Sequence, residues 1–449
     1  MRIRRWLILG AAVAALAAPA VASADGGTPI PGQYIVVLKS GASGRAVAAE
    51  HARSAHADVL QTYDAAIHGY AAKLSSSGLA AVKRDSRVGY VAQDSQGKPI
   101  ESQTLPTGVN RIDADLSATA QVAGDGAGTV NGDVAVFDTG IDTSHPDLNV
   151  AGGVNCLDAT DQYNDGTYGD QYGHGTHVAG IIGAKDDANG VVGVAPGVRL
   201  WSVRVLDAYA SGTKSSQLCG INWVTANAPN LGIKVVNASQ ALFGSPDDGN
   251  CGYTNGDVLH QAICNSTNAG ILWVFAASNG PAADFIKVAG ASYPQVLTVT
   301  AMADSNGQPN AGSTQKFGCG SAISFNGSKT SEVDDTYASF SKYAVSAAEQ
   351  AHTIAAPGVC IWSTFKDGTY GYLTGTSMAA PHATATAELC ILAAACDGVP
   401  ANEIQKLRSD AAAYIQANPG YGFTGDPLRP TTGKLAGRYY GYLLRAGLY

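Results

Sequence analysis

Between residues 132 and 300, short apolar runs alternate with stretches of helical character, and that alternation admits few folds. Residues 134–137, 200–206, 233–237, 271–276 and 296–300 read as strands, and residues 176–184, 214–227 and about 257–268 as helices. Strands separated by helices pair in parallel, because a parallel pair needs a crossover connection and not a tight turn. The expected fold class is therefore α/β, a parallel twisted sheet with helices on both faces. In such a sheet ligands gather at the carboxyl ends of the strands. Asp138 and Asn279 each stand just past an apolar run, which places both on that rim. The Gly- and Tyr-rich tail from Pro419 reads as loops.

A smaller module comes first. Strand-like runs at residues 34–38, 59–63, 70–74 and 88–92 enclose helical stretches at 42–56 and 76–84. The order β-α-β-β-α-β is that of a ferredoxin-like α+β unit. Residues 94–103 are polar and read as an exposed linker.

The first 24 residues have the three parts of a secretory signal. Arg2, Arg4 and Arg5 form a positive start, residues 6–21 an apolar core, and Ala22-Ser23-Ala24 a small-residue cleavage site. The expected location is secreted and extracellular, with no membrane attachment after cleavage. The chain carries 45% hydrophobic and 14% charged residues, a globular balance. Its formal net charge is −8 and it has no basic stripe, so no nucleic-acid partner is expected. All eight cysteines follow the leader, and no Cys-x-x-Cys occurs, which favours disulfides over zinc. Nearness in sequence singles out Cys251 with Cys264 and Cys390 with Cys396.

Three short motifs carry chemistry. Gly375-Thr376-Ser377-Met378-Ala379-Ala380-Pro381 opens an alanine-rich run, so Ser377 stands in the first turn of a helix. Unpaired N–H groups and the positive end of the helix dipole suit an oxyanion there. Asp138-Thr139-Gly140 follows a strand, and Gly173-His174-Gly175-Thr176-His177 places a histidine between glycines at a helix start. Singly, Asp138 reads as a turn residue, His174 as a surface histidine and Ser377 as a helix cap. Together they supply a nucleophile, a base and an acid that fixes the base's tautomer, in the chain order Asp, His, Ser.

On these motifs the chain resembles the subtilisin-like serine proteases, the subtilases, with an inhibitory prodomain. Val192-Gly193-Val194-Ala195-Pro196, Ala338-Ser339-Phe340-Ser341 and Ile354-Ala355-Ala356-Pro357-Gly358 match as well, and the likeness runs from Tyr34 to about Ala413. It implies a secreted serine endopeptidase working through an acyl-enzyme and made as an autoprocessed precursor. Its parts would be a signal peptide at 1–24, an inhibitory prodomain and processing linker at 25–101, and a catalytic domain at 102–449. The cut would fall near residues 100–102. Ser377 would be the nucleophile, His174 the base and then acid, Asp138 its orienting partner, and Asn279 the oxyanion donor with the Ser377 N–H. His177 is the rival base and is expected to be structural, as is His382.

Ser239, Gln240, Ala241, Ala277 and Ser278 would form the substrate-binding set. Ser278 stands where the family usually has glycine, and Gln240 and Ala241 replace an apolar residue and a glycine. An extended peptide would add to this backbone as a strand. Extra bulk would narrow the pocket, and Gln240 would alter its polarity. The resemblance also implies a structural calcium held by Gln103, Asp147 and Asp187, oxygen ligands of the type a hard cation requires. The expected partners are polypeptide substrates and the chain's own prodomain, and the enzyme is expected to be a monomer. Asn-x-Ser/Thr sequons at Asn237, Asn265 and Asn326 are read as unglycosylated. Two other classes stay open on sequence: a catalytically idle binding protein, and an esterase or acyltransferase on the same residues. Gly-x-Ser-x-Gly is absent around Ser377, where the fifth residue is Ala379.

Overall fold

The structure is a computed structural model and describes residues 28–96, 103–122, 128–160, 164–281, 283–309, 317, 319, 323–325, 328–330 and 332–449. The expected leader at 1–24, the expected cut near 100–102 and the sequon at Asn326 lie outside the described residues. The chain forms two compact units, Met1–Ile100 and Glu101–Tyr449.

The first unit is the β-α-β-β-α-β module expected from sequence. Its elements are β1 (Thr28–Leu38), α1 (Gly44–Ser54), β2 (Asp58–Tyr63), β3 (Gly69–Lys73), α2 (Ser76–Val82) and β4 (Val88–Gln96). The antiparallel sheet has the order β2-β3-β1-β4. Ser43 and Ser75 cap the two helices, accepting from the N–H groups of Ala46 and Gly78. Val36, Val47, Tyr70, Ala72 and Val82 form its core.

The second unit is built on an eight-stranded sheet. Its elements begin with α3 (Thr107–Arg111), β5 (Asp133–Asp138), β6 (Val150–Asn155), α4 (His174–Gly183), β7 (Arg199–Arg204) and α5 (Lys214–Leu231). Next come β8 (Val235–Ala238), α6 (Val258–Asn268), β9 (Leu272–Ala276), β10 (Leu297–Ala303), β11 (Ile323–Phe325), β12 (Ser328–Thr330) and β13 (Thr336–Tyr337). Then follow α7 (Ala347–Gln350), β14 (Thr353–Pro357), β15 (Ile361–Phe365), β16 (Thr369–Leu373), α8 (Thr376–Leu392) and α9 (Pro400–Ala417). The sheet order is β13-β10-β9-β8-β5-β7-β6, with β14 also paired to β10. All these pairings are parallel except that of β13 with β10.

The central strands read as unbroken apolar runs because both faces are covered. Along β5, Val134 and Val136 enter the core under α4 and α8, while Ala135 and Phe137 enter the core under α5 and α6. Strand β9 divides likewise, Leu272 and Val274 to the first core, Trp273 and Phe275 to the second. Helix α8 lies in the first core and is buried on every side through its alanines and Leu389. The cysteines pair as 156–219, 251–264, 319–360 and 390–396, which includes both pairs singled out by nearness.

Candidate active site

Strands β9, β8 and β5 are neighbours, and their carboxyl ends run into Asn279, Ser239 and Asp138 respectively. The rim expected from sequence therefore exists as one row. Asp138 is fully buried. Its Oδ1 accepts from the Thr139 N–H at 2.7 Å and lies 2.7 Å from His174 Nδ1. A carboxylate can only accept, so Nδ1 carries the proton and Nε2 is left as the basic nitrogen. Gly175 allows this approach. A Cβ there would stand 2.1 Å from the Gly140 carbonyl, so a larger residue would drive α4 away from the Asp138 turn.

Burial alone would push the His174 imidazole down. The charge and hydrogen bond of Asp138, with a further contribution from Asp170, outweigh it and hold the pKa above its ordinary value. His177 is different. It is fully buried, and its Nε2 lies 3.0 and 3.1 Å from the carbonyls of Ile361 and Gly371, tying α4 to the β15–β16 hairpin. Burial, followed by the nearby His174, lowers its pKa to about 3. His382, also fully buried, lies 2.8 Å from the Met378 carbonyl within α8. Among the described residues neither is hydrogen-bonded to Asp138 or Ser377.

Ser377 is the second residue of α8, where N–H groups have no intrahelical acceptor. Its Oγ donates to the Ser239 carbonyl at 3.0 Å, and Ser239 Oγ donates to the Ser377 carbonyl at 2.6 Å. Behind them, Asn237 Nδ2 donates to Ser239 Oγ and Thr384 donates to Asn237 Oδ1, both at 2.9 Å. Asn237 is fully buried, so its sequon spends its amide inside the core. Asn279 Oδ1 accepts from Thr376 N at 2.9 Å and Thr376 Oγ1 at 3.0 Å, which aims Nδ2 the other way. A Cβ built on Gly375 would lie 3.2 Å from Asn279 Nδ2 and 3.7 Å from Ser377 N. Two donors thus border one small space beside the serine, the geometry an oxyanion needs.

Ser278 adopts φ +78°, the left-handed region that favours glycine. A side chain there costs roughly 1 kcal/mol. Ala277 is buried, its N–H donating to the Val299 carbonyl at 2.9 Å. Gln240 has both ends of its amide committed. Nε2 donates to the Phe137 carbonyl at 3.0 Å, and Oε1 accepts from Gln217 at 3.2 Å, as does the Ala241 carbonyl at the same distance.

Two of the three expected cation ligands, Gln103 and Asp147, are held by the same partners. Gln103 Nε2 donates to the carbonyls of Lys185 and Val191. Lys185 N–H donates to the Asp147 carbonyl, and Val191 N–H to Asp147 Oδ2. Gln103 Oε1 and Asp147 Oδ1 are buried with no hydrogen-bond partner among the described residues. Two orphaned oxygens, on two segments that both bind the 185–191 loop, are a fit for a hard cation. Asp187 is exposed and accepts from its own turn at Asn189. Its charge, after burial, helps push Asp147 up to about 6.

Residues 131–427 match the profile of the subtilase family, and residues 33–98 match that of peptidase inhibitor I9. Subtilisin E of Bacillus subtilis (strain 168) is 33% identical over 328 residues, 72% of this chain and 71% of its own length. The alkaline protease of Alkalihalobacillus alcalophilus is 34% identical over 317 residues, 71% of this chain and 67% of its own. The chain belongs to the subtilase family. A solved cold-adapted subtilisin-like serine proteinase superposes with TM-score 0.49 at 24% identity, over 76% of this chain and 98% of that one.

As a subtilase the protein is a serine endopeptidase, and its I9 region makes it a zymogen whose N-terminal module acts as intramolecular inhibitor. Within the subtilase site, sequence reading missed Asp170. Its Oδ1 accepts from Thr139 Oγ1 and the Gly173 N–H, and its Oδ2 from the N–H and Oγ1 of Thr176. One carboxylate therefore clamps the Asp138 turn to the start of the His174 helix. The available signal was an aspartate three residues before the glycine that opens α4, a capping position.

Proposed function

We propose that this subtilase is a secreted endopeptidase that cleaves its own precursor near residues 100–102 and then hydrolyses polypeptides. Ser377 Oγ attacks the peptide carbonyl while His174 Nε2 takes its proton, and Asp138 holds the imidazolium that results. Negative charge developing on the carbonyl oxygen meets Asn279 Nδ2 and the Ser377 N–H. His174 returns the proton to the leaving amine, and water then releases the acyl group by the reverse path. Gln103, Asp147 and Asp187 would hold a structural calcium ion, which neutralises crowded carboxylates and locks the loop.

The observation that carries this reading is the 2.7 Å contact between buried Asp138 and His174 Nδ1, on the rim that also bears Ser377. The test is expression of wild type beside Ser377→Ala, with N-terminal sequencing and an organophosphonate probe. Wild type is expected to mature near residue 102 and take the label; the alanine variant is expected to do neither. Equal maturation of both would assign the cut to another protease. A folded wild-type chain that never takes the label would remove Ser377 as nucleophile.

A further inference from the structure

Helix α5 sends one side chain, Gln217, under the segment that follows β8. Gln217 is fully buried, in an otherwise apolar layer that includes Val205, Ile221 and Leu242. A side-chain amide in such a layer is unfavourable unless its bonds are made. Here they are made to one short stretch of backbone. Oε1 accepts from the Phe243 N–H at 2.8 Å, and Nε2 donates to the Ala241 carbonyl and to Gln240 Oε1, each at 3.2 Å. Gln240 passes the connection on, donating to the carbonyl of Phe137, the residue before Asp138. The remaining members of the stretch are fixed too. Ser239 is tied to Ser377, and the Leu242 N–H donates to the Ala289 carbonyl at 3.1 Å.

We propose that Gln217 is a positioning residue for peptide binding. It anchors residues 241–243 from inside, and so sets the position of the backbone at residues 239–241, to which an extended peptide would add as a strand. Through Gln240 it couples that position to the Asp138 end of β5. This rests on the endopeptidase reading above. Backbone pairing along residues 239–241 acts on the peptide as a whole and not on the reacting carbonyl, so its loss belongs in KM and not in kcat.

The test compares a peptide amide carrying four residues on the acyl side with a p-nitrophenyl ester of a single residue. Gln217→Met removes donor and acceptor at nearly constant volume; Gln217→Asn keeps the amide but shortens its reach. Reaction with the organophosphonate counts the folded, competent fraction of each. Either variant is expected to raise KM for the long peptide about tenfold, with kcat within about twofold, and to shift single-residue ester turnover by less than about twofold. Equal losses on both substrates, or an unchanged KM for the peptide, would overturn the role of Gln217. If Gln217→Met does not fold, Gln217→Asn carries the same expectation and the same refutation. A wild type that turns over the ester and never the peptide would instead sink the endopeptidase reading itself.

Discussion

Ser239 and Ser377 are hydrogen-bonded to each other twice, hydroxyl to carbonyl in both directions. The Ser377 hydroxyl is thereby parked on a backbone oxygen and not on the imidazole. In the proposed mechanism, attack requires it to rotate from the Ser239 carbonyl to His174 Nε2. Ser239 Oγ, by contrast, has no such freedom, since it also accepts from Asn237.

Replacing Ser239 by alanine removes the bond that anchors the Ser377 carbonyl and leaves the Asn237 amide without its acceptor. The expected cost is about 1–3 kcal/mol of stability. Urea unfolding of the Ser377→Ala background, with and without Ser239→Ala, measures it free of self-digestion.

Asn279→Asp keeps the oxygen that accepts from Thr376 and removes the Nδ2 donor. The expectation is a fall in kcat of ~10²–10³ with KM little changed. A matching rise in KM would move Asn279 from the transition state to ground-state binding.

In the proposed mechanism activity depends on neutral His174, whose pKa lies above its ordinary value. The acid limb of kcat/KM is therefore expected above pH ~6.5, with activity lost below it. Asp170 contributes to that rise, so Asp170→Asn should move the limb toward lower pH. A pH–rate profile of the two proteins decides it, and an unmoved limb would limit Asp170 to holding the loop.

Chelation tests the proposed calcium site at Gln103, Asp147 and Asp187. Removing calcium should lower the thermal midpoint of the wild type at pH 8 and leave Asp147→Asn unchanged. Differential scanning calorimetry on Ser377→Ala forms reads both.

Glu388 is nearly fully buried, and burial followed by the Asp133 charge pushes it up to about 7. An acid whose folded pKa is raised keeps its proton while the unfolded chain gives it up. Its contribution to stability is whole below pH ~4.5 and is lost as pH rises toward 7. Glu388→Gln is thus expected to stabilise at pH 8, by on the order of 1–3 kcal/mol, and to do little at pH 4. Urea unfolding at the two pH values shows whether the gain has this sign.

The buried strands of the sheet were legible because apolar runs such as 134–137 and 271–276 have no other use in a folded chain. Strand β6 was not. It is Gly-rich, since Gly152 lies against the Trp201 ring and Gly153 against the Ser202 carbonyl, and glycine hides a strand from propensity. Strand β14 escaped as well, being Thr-Ile-Ala-Ala-Pro, while the β15–β16 hairpin and α9 lay outside the alternating stretch that guided the reading. At the candidate site, distinctive neighbours singled out Asp138, His174, Ser377 and Asn279 for the proposed roles. Asp170 and Gln217 were missed because they work through backbone amides and carbonyls, and no short motif records which backbone a side chain will meet. Gln240 was read for the polarity it would bring to a pocket, and nothing in its neighbours along the chain signalled that its amide binds Phe137 and Gln217.

Strand β5 lies in the middle of its sheet, yet its partners arrive from residues 199–204 on one side and 235–238 on the other. Few of its contacts can form before distant parts of the chain have met, and helix α8, buried on nearly all sides, has nowhere dry to rest until they do. Chains so arranged assemble slowly and expose sticky intermediates on the way. Residues 28–96 form a smaller compact unit of their own, and we propose that it hastens the folding of the larger one. Refolding yields of residues 103–449 with and without residues 25–102 supplied in trans would measure that debt as a rate.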